Sequence, residues 1–224
     1  QDDPGDDGKE DADASAPGCA PFALHPVLKK AMVALGFNTP PDVQAATLPP
    51  SLGPDAMQPR DVVGVAQTGS GKTLAYALPI LQYILENTAH SQDPARSLEA
   101  LVLTPTRELA LQVCSHIRAV VEAGGCFANV AAICGGMSVQ KQERVLLQHG
   151  GAHIVVATPG RLWDMIKHDD ALALRVRRTR FLVIDEADRM IEAGHFAEME
   201  LLLQMVRRTQ GAAADAHPAL QTFV

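Results

Sequence analysis

The sequence predicts one α/β domain, a doubly wound parallel sheet flanked by helices. Its 224 residues suit a single large domain, and 47% hydrophobic with 20% charged residues is an ordinary globular mix. Short apolar runs rich in β-branched residues alternate with segments whose apolar residues recur at helical spacing. Strands that are apolar on both faces belong to a parallel sheet covered by helices on both sides, and right-handed crossovers make that sheet doubly wound.

The strands and helices follow a regular order along the chain. A first helix, with apolar residues at helical spacing, ends at Gly36. Each of five strands is then followed by a helix, and Pro79 should kink the first of these helices. A last apolar helix near 197–207 precedes an apolar end at 220–224. The five predicted strands span 61–66, 100–103, 129–133, 153–157 and 181–184.

Negative charge is concentrated at the start of the chain. The formal net charge is −7, and residues 1–13 hold seven acids and a single base. The remainder is therefore almost neutral, so overall charge does not indicate a nucleic-acid-binding protein and any such site must be local. Residues 1–20 are acidic and rich in Gly, Ala and Pro, which predicts a disordered tail or, alternatively, an interaction tail. The folded domain is expected over 21–224.

Composition argues against several other classes of protein. No apolar run approaches the roughly 18 residues that a membrane span needs, and no secretory signal segment opens the chain. The four cysteines form no Cys-x-x-Cys pair, so zinc and thiol-redox sites have no support. We interpret them as reduced thiols of a cytosolic or nuclear protein.

A glycine-rich loop follows the first predicted strand directly and opens a helix. Glycines let backbone amides turn inward, and a helix N-terminus adds a positive dipole, so that such a loop cradles phosphates. Lys72 is placed to reach the β- and γ-phosphates, and the Thr73 hydroxyl to bind Mg²⁺. The alternative is a plain glycine-rich turn. The loop consists of Ala66, Gln67, Thr68, Gly69, Ser70, Gly71, Lys72 and Thr73.

Two acids, Asp185 and Glu186, follow the predicted strand at 181–184. An acid at the end of a buried strand, close to a phosphate loop, can hold Mg²⁺ through its water shell, and this role falls to Asp185. Glu186 is then positioned to orient or deprotonate the attacking water. Alone, these acids would only stabilise a helix N-terminus. Together with Lys72 they predict metal-assisted hydrolysis of a nucleoside triphosphate, whereas Asp188 is expected to bond another segment.

Three further strand-to-helix junctions share the same edge of the predicted sheet. Each directs backbone amides outward from a helix N-terminus, and two add an arginine. A row of such anion sites is spaced like a phosphodiester backbone and would position a nucleic-acid strand without reading its bases. Ordinary helix capping explains any one of them alone. The junction residues are Pro105, Thr106, Arg107, Gly135, Gly136, Thr158, Pro159, Gly160 and Arg161.

In this order the motifs resemble those of the DEAD-box RNA helicases, over residues 22–224. The resemblance extends to the upstream stretch ending at Gln44 and implies a RecA-like P-loop NTPase lobe with ATP and Mg²⁺. It implies RNA as the substrate, adenine selection by Gln44 with Phe37 stacking, and Thr39 in the same pocket. A glutamine amide offers adenine one donor and one acceptor, and an aromatic ring stacks on a base, although Phe37 could also be a core residue. The motifs quoted are Phe22, Gly36–Gln44, AQTGSGKT, PTREL, Gly135-Gly136, TPGR and DEAD.

Two departures from the family pattern carry expectations. Pro41 stands where the family usually has Thr or Ser, so a hydroxyl near the adenine pocket is missing. The family's second RecA-like lobe, whose arginines complete the ATP site, is absent after Val224. We therefore expect the chain to be a first lobe that hydrolyses ATP poorly alone, with Asp188 in contacts to the second lobe.

A finer resemblance concerns a nucleolar subgroup of the family that acts in assembly of the large ribosomal subunit. It rests on TPGRLWDMIK, GGMSVQKQ and the stretch 185–199, DEADRMIEAGHFAEM, in which His195 stands between the usual Gly and Phe. It implies pre-ribosomal proteins as partners and a nuclear or nucleolar location, with the cytoplasm as the alternative.

Two other functions remain open from the sequence. A DNA helicase or translocase lobe would share these motifs; its ATPase would be stimulated by DNA, and a comparison of RNA with its 2′-deoxy counterpart separates the two. An assembly scaffold with a vestigial ATP site is the non-enzymatic alternative. The intact Lys72, Thr73, Asp185 and Glu186 argue against a scaffold.

Overall fold

The computed structural model describes residues 22–52, 60–67, 69–87, 98–147, 151–192, 194, 196–212 and 220–224. Our expectations for the acidic tail at 1–20, for Thr68 and for His195 lie outside the described residues. Within the described part, none of the helices combines the length and the apolarity needed to cross a membrane.

A five-stranded sheet lies at the centre of the fold, and every strand is parallel to its neighbours. The order across the sheet is β2-β3-β1-β4-β5. The chain thus places β2 and β3 on one side of β1, and then β4 and β5 on the other. This arrangement confirms the predicted doubly wound parallel sheet. The strands are β1 (Ala100–Leu103), β2 (Val130–Ile133), β3 (Ile154–Ala157), β4 (Phe181–Ile184) and β5 (Gln221–Phe223).

Nine helices, counted in the described ranges, surround the sheet. Two of them, the second and the seventh, were not predicted from the sequence. The second contains Pro49 and Pro50, which the sequence analysis would not place inside a helix. The helices are α1 (Pro26–Ala34), α2 (Asp42–Leu52), α3 (Lys72–Asn87), α4 (Arg107–Gly124), α5 (Val139–Leu147), α6 (Pro159–Ile166), α7 (Asp170–Arg177), α8 (Ala187–Glu192) and α9 (Phe196–Ala212).

Two hydrophobic cores cover the two faces of the sheet. Successive residues of a strand point to opposite faces, and in β1 Val102 enters one core while Leu101 and Leu103 enter the other. The first core is closed by α1, α3 and α4 and the second by α6, α7 and α9. All four side chains of β1 are fully buried, as expected for the central strand of a sheet covered on both faces.

The predicted first strand, 61–66, differs from expectation. Only Val62 forms a bridge, to Phe223 of β5, and the segment lies at the edge of the sheet beside that strand. Val63 is 74% exposed and Val65 is 99% exposed. Backbone bonds from Val62 and Gly64 to residues 222 and 224 still fix its direction as parallel. The prediction of a buried strand was wrong because an apolar run alone does not distinguish a central strand from one that has a neighbour on one side only.

Helices α1 and α4 approach each other closely at Gly124, where a Cβ would lie 2.7 Å from the carbonyl oxygen of Val27. Gly124 is the last residue of α4, and we therefore expect Gly124→Ala to lower the free energy of unfolding by about 1–3 kcal/mol. Gly160→Ala is the matched control, because nothing lies within 4 Å of a Cβ there; it should leave stability unchanged or slightly raised. Urea unfolding of both variants measures the difference, and a stabilised Gly124→Ala would contradict the close approach.

Candidate functional site

The glycine-rich loop joins the edge segment to α3. Gly69 and Gly71 have φ of +81° and +92°, a region of backbone conformation that favours glycine. Because α3 begins at Lys72, the first amides of the helix face the loop. Ser70 Oγ is buried and, among the described residues, has no hydrogen-bond partner. A buried hydroxyl left in this way is consistent with a loop that is completed by a polar ligand.

The ammonium group of Lys72 is held by the loop itself. Nζ donates to the carbonyl oxygen of Ala66 and lies 3.5 Å from that of Gln67. Hydrogen bonds of an ammonium ion to an anionic oxygen are stronger than those to a neutral carbonyl. A phosphate entering the loop can therefore replace these carbonyls as the partner of Lys72.

Asp185 lies directly after β4, close to the loop. Its Oδ2 accepts a hydrogen bond of 3.0 Å from the hydroxyl of Tyr76 on α3. Burial raises the pKa of the Asp185 carboxyl above its ordinary value, and the charge of Glu186 acts in the same direction. The bond from Tyr76 and the positive charge of Lys72 oppose this rise only in part. The carboxylate is thus an anion in need of a cation, which suits a ligand of Mg²⁺ or of its waters.

Glu186 adopts an unusual backbone conformation for a residue with a side chain. Its φ is +53°, and Oε2 lies 3.1 Å from Nη1 of Arg189, one turn along α8. Strained backbone of this kind persists where the surrounding structure holds it, often at functional sites. This ion pair joins Glu186 to a side chain that is 60% exposed.

A cavity of about 500 Å³ brings these groups together. Its lining confirms the proximity of the loop to the two acids, which lie more than a hundred residues further along the chain. The stretch before Gln44 lines the same cavity, so the sequence-predicted base and phosphate contacts face a common space. Ala66 and Gln67 contact Lys72 instead of the cavity. The predicted residues that line the cavity are Phe37, Thr39, Gln44, Gly69, Gly71, Lys72, Thr73, Asp185 and Glu186.

Gln44 has a contact that the sequence analysis did not predict. Its side chain is 6% exposed, and Nε2 donates to the carbonyl oxygen of Gly71 at 3.0 Å. A Cβ on Gly71 would lie 2.7 Å from that nitrogen. Phe37, by contrast, is 45% exposed at the cavity. The amide therefore fastens the phosphate loop to α2 while one N–H and the oxygen remain for a second partner.

Tyr76 is the residue of this site that sequence reasoning missed. It lies four residues after Lys72, on the same face of α3, but its spacing also fits the apolar face of that helix. Burial raises the pKa of the Tyr76 hydroxyl well above its ordinary value, so it is a neutral donor to Asp185. The available signal was the hydroxyl itself, a polar atom at a buried position.

The three other junctions meet at the same edge of the sheet. Backbone bonds continue the ladder beyond the strands, from Thr104 N to Ala157 O at 2.9 Å and from Thr158 N to Ile133 O at 3.0 Å. Thr106 caps α4, where its hydroxyl accepts from Leu109 N. The predicted neighbours Pro105, Arg107, Gly135, Gly136, Pro159, Gly160 and Arg161 lie in these junctions.

Some details of this edge differ from the prediction. Thr158 occupies the N-cap position of α6, but its side chain makes no capping bond. The Arg161 guanidinium turns towards the protein, where Nη2 donates to Met137 O at 2.7 Å. A Cβ on Gly136 would overlap Nη1 of Arg107, so this arginine lies over the glycine. Asp188 is exposed in the first turn of α8, and its contact to another segment stays a prediction.

The donors present suit Mg²⁺ better than a metal bound by protein ligands alone. Among the described residues, no group of three or more His, Cys, Asp or Glu side chains could hold a metal ion. Mg²⁺ keeps much of its water shell and takes one or two carboxylates together with phosphate oxygens. Thr73 and Asp185, on the wall of one cavity, match that requirement.

A glycine-rich loop opening a helix, an acid after a neighbouring strand and a doubly wound parallel sheet define a RecA-like P-loop domain. The sequence model of the DEAD/DEAH box helicases matches residues 42–221. The chain belongs to the DEAD/DEAH box helicase family.

Similar proteins agree with this placement. The chain is 42% identical over 202 residues to DEAD-box ATP-dependent RNA helicase 13 of Oryza sativa subsp. japonica, covering 84% of the chain and 23% of that protein. It is 42% identical over 214 residues to ATP-dependent RNA helicase mak5 of Aspergillus oryzae, covering 92% of the chain and 27% of that protein. The chain thus spans about a quarter of the length of these relatives.

Solved structures of the family have the same fold. The yeast DEAD-box splicing factor Prp28 is 31% identical with a TM-score of 0.76, over 90% of this chain and 44% of that one. Mss116p bound to ssRNA and AMP-PNP is 27% identical with a TM-score of 0.75, over 90% of this chain and 38% of that one.

The burial of Asp185 makes a testable prediction about stability. Because its folded pKa is raised, the folded chain binds more protons than the unfolded chain from about the ordinary value of 3.8 up to the raised value, and stability falls as pH rises through that window. Asp185→Asn removes the charge and keeps an oxygen for Tyr76. We expect it to raise the free energy of unfolding at pH 7 by about 0.5–2 kcal/mol, a gain that shrinks towards pH 4.

Urea unfolding at both pH values measures this gain. Asp164→Asn serves as the control, because that acid is exposed and its ion pair with Lys167 lies on the surface; it should change stability by less than about 0.5 kcal/mol. An Asp185→Asn chain that is less stable than the parent at pH 7 would mean that the carboxylate is net stabilising.

Proposed function

We propose that this chain is the ATP-binding lobe of an ATP-dependent RNA helicase. The observation that carries the proposal is the single cavity lined by Lys72 and Thr73 of the loop and by Asp185 and Glu186 after β4. A triphosphate in the loop would meet the ammonium group, the helix N-terminus and the acid pair together. The expected domain boundaries, a tail to residue 20 and a lobe over 21–224, belong to this proposal.

Each group has a distinct role in the proposed hydrolysis. Mg²⁺, when bound, would neutralise phosphate charge, and Thr73 and Asp185 are the residues that would hold it, partly through water. Lys72 would bind the β- and γ-phosphates. Glu186 would orient or deprotonate the attacking water at the start of α8. Tyr76 would orient the Asp185 carboxylate by its 3.0 Å hydrogen bond.

RNA would bind along the edge formed by the other three junctions. These junctions would meet phosphates with the backbone amides of helix N-termini and with arginine donors. Such contacts position a strand without reading its bases, so binding should be insensitive to sequence. The relatives are named RNA helicases, which supports RNA over DNA. A second RecA-like lobe of the longer protein would complete the ATP site with arginines, and Asp188 would contact that lobe.

The biological setting we infer is assembly of the large ribosomal subunit in the nucleolus, with pre-ribosomal proteins as partners. The inference is supported by the resemblance of 185–199 and of the TPGRLWDMIK segment to the nucleolar subgroup of the family.

The nucleotide site is tested by Lys72→Ala. With Mg²⁺ present, the chain should bind a fluorescent ATP analogue, and the variant should bind it at least about tenfold more weakly, since a charge-assisted bond of about 1.5–3 kcal/mol is lost. Lys30→Ala is the charge-matched control, because Lys30 is exposed on α1. Equal affinities of parent and Lys72→Ala would favour a scaffold with a vestigial site.

The RNA arm of the same experiment compares single-stranded RNA with its 2′-deoxy counterpart while nucleotide is bound. Tighter binding of RNA is expected, and equal binding would favour a DNA translocase lobe. Duplex unwinding by these 224 residues alone would contradict the role given to a second lobe.

Adenine selection is tested by competition between ATP and GTP. The parent chain should prefer ATP, and Gln44→Ala should bring the two affinities to within about twofold, because a bidentate amide contact of about 1–3 kcal/mol is removed. Gln112→Ala is the control, since Gln112 lines the same cavity on α4 and should keep the preference. Equal affinities in the parent chain would exclude this role for Gln44.

A further inference from the structure

One glutamine of α5 is buried, although its polar neighbours along the helix are exposed. Gln142 is 1% exposed, whereas its neighbours Gln140, Lys141 and Glu143 are all exposed. A buried amide is unfavourable unless its donors and acceptor find partners. The partners of Gln142 therefore indicate why a polar side chain occupies this position.

Those partners belong to the turn between β2 and α5. Nε2 of Gln142 donates to Cys134 O at 2.8 Å and to Met137 O at 3.3 Å. The oxygen Oε1 lies 3.5 Å from Nε of Arg161, whose Nη2 donates to the same Met137 O at 2.7 Å. One amide thus joins both ends of the Gly135-Gly136 turn to the arginine at the start of α6.

The direction of these bonds decides what the turn presents to solvent. In a planar trans peptide the C=O and the N–H of one unit point in opposite directions. Since the carbonyls of Cys134 and Met137 point to the buried amide, the N–H groups of Gly135 and Ser138 point away from it. Gly135 and Ser138 are both exposed. The turn therefore presents amide donors outward, which is the arrangement that binds an anion.

The same turn also locates Arg107. Gly136 has φ of +76°, and a Cβ there would overlap Nη1 of Arg107. The guanidinium consequently lies against the bare backbone of the turn. Arg161 is fixed from the other side by two of its five N–H donors.

We propose that Gln142 is a positioning residue for the RNA backbone. Its amide holds the turn so that outward N–H groups and the two arginines form one preassembled anion-binding edge. Gln142 itself does not touch RNA. This inference rests on the proposed binding of RNA at this edge, and it adds the element that keeps the edge in one geometry before RNA arrives.

The test compares Gln142→Met with Gln140→Met. Methionine keeps the volume of glutamine but cannot donate to either carbonyl, and Gln140 offers the same replacement at an exposed position of the same helix. Binding of a single-stranded RNA oligomer is measured from low to moderate salt, together with binding of the ATP analogue. We expect Gln142→Met to bind RNA about tenfold more weakly. The slope of log affinity against log salt concentration should become shallower by about one, which corresponds to the loss of one phosphate contact. Its ATP-analogue affinity should stay within about twofold, and Gln140→Met should match the parent in both.

The outcomes separate the inference from its premise. RNA affinity and salt slope of Gln142→Met equal to those of Gln140→Met would overturn the positioning role while the proposed function stands. A parallel loss of RNA and nucleotide binding reports general unfolding of Gln142→Met, and the result with the shorter variant Gln142→Asn then decides. Absence of salt-dependent RNA binding by the parent chain would overturn the proposed function itself.

A second variant covers the case in which Gln142→Met fails to fold. Gln142→Asn keeps the amide but is one methylene shorter, and we expect it to retain a bond to one of the two carbonyls at most. We expect about threefold weaker RNA binding with unchanged nucleotide binding, and parent-like RNA binding would overturn the proposal.

Discussion

Three backbone hydrogen bonds that extend the parallel ladder past the ends of the strands determine the geometry of the whole functional edge. Because these bonds put the first residue after each strand level with the end of its neighbour, the strand-to-helix junctions meet on one line. A register shift of one residue would turn every side chain of a strand to the opposite face and remove Asp185 from the cavity. The bonds run from Asp185 N to Leu103 O (2.9 Å), from Thr104 N to Ala157 O (2.9 Å) and from Thr158 N to Ile133 O (3.0 Å).

The fixed register of the strands explains why Asp185 lies at a buried position, where its negative charge is unfavourable. Position 185 is fixed by the strand before it, and burial there raises the pKa of the carboxyl. Tyr76 from α3 satisfies one lone pair of the carboxylate, and Lys72 supplies charge of the opposite sign. The hydrogen bond from Tyr76 and the charge of Lys72 together stabilise the carboxylate less than full hydration would. The remaining deficit favours a cation and its waters, so the property that weakens the chain alone would strengthen its attachment to Mg²⁺.

Sequence patterns predicted the residues that lie on the edge better than the contacts among them. Loop, acid pair and junctions were found because glycine, charge and strand ends recur at spacings that chemistry dictates. Helix α2 was not predicted, because Pro49 and Pro50 indicate a break in a helix. Its backbone nevertheless stays helical at these two residues. Tyr76 has the spacing of an apolar-face residue, and Gln142 lies among polar residues. Tyr76 bonds Asp185, 109 residues further along the chain, whereas Gln142 bonds the carbonyl of Cys134 across a turn. A contact made by a single polar atom leaves no periodic pattern in the sequence.

The proposed metal site and the proposed RNA site lie at the ends of different strands of the same sheet. The acid proposed to bind Mg²⁺ follows β4, whereas the junctions proposed to bind RNA phosphates follow β1, β2 and β3, and neighbouring strands are only about 4.8 Å apart. A close-packed sheet buried on both faces deforms little. If nucleotide binding changes the affinity for RNA, the change must therefore arise in the loops, or in a partner that closes over this edge of the sheet. Since Gln142 fastens one loop and Gln44 another, each loop has its own tether, and the lobe alone should hold its two ligands almost independently.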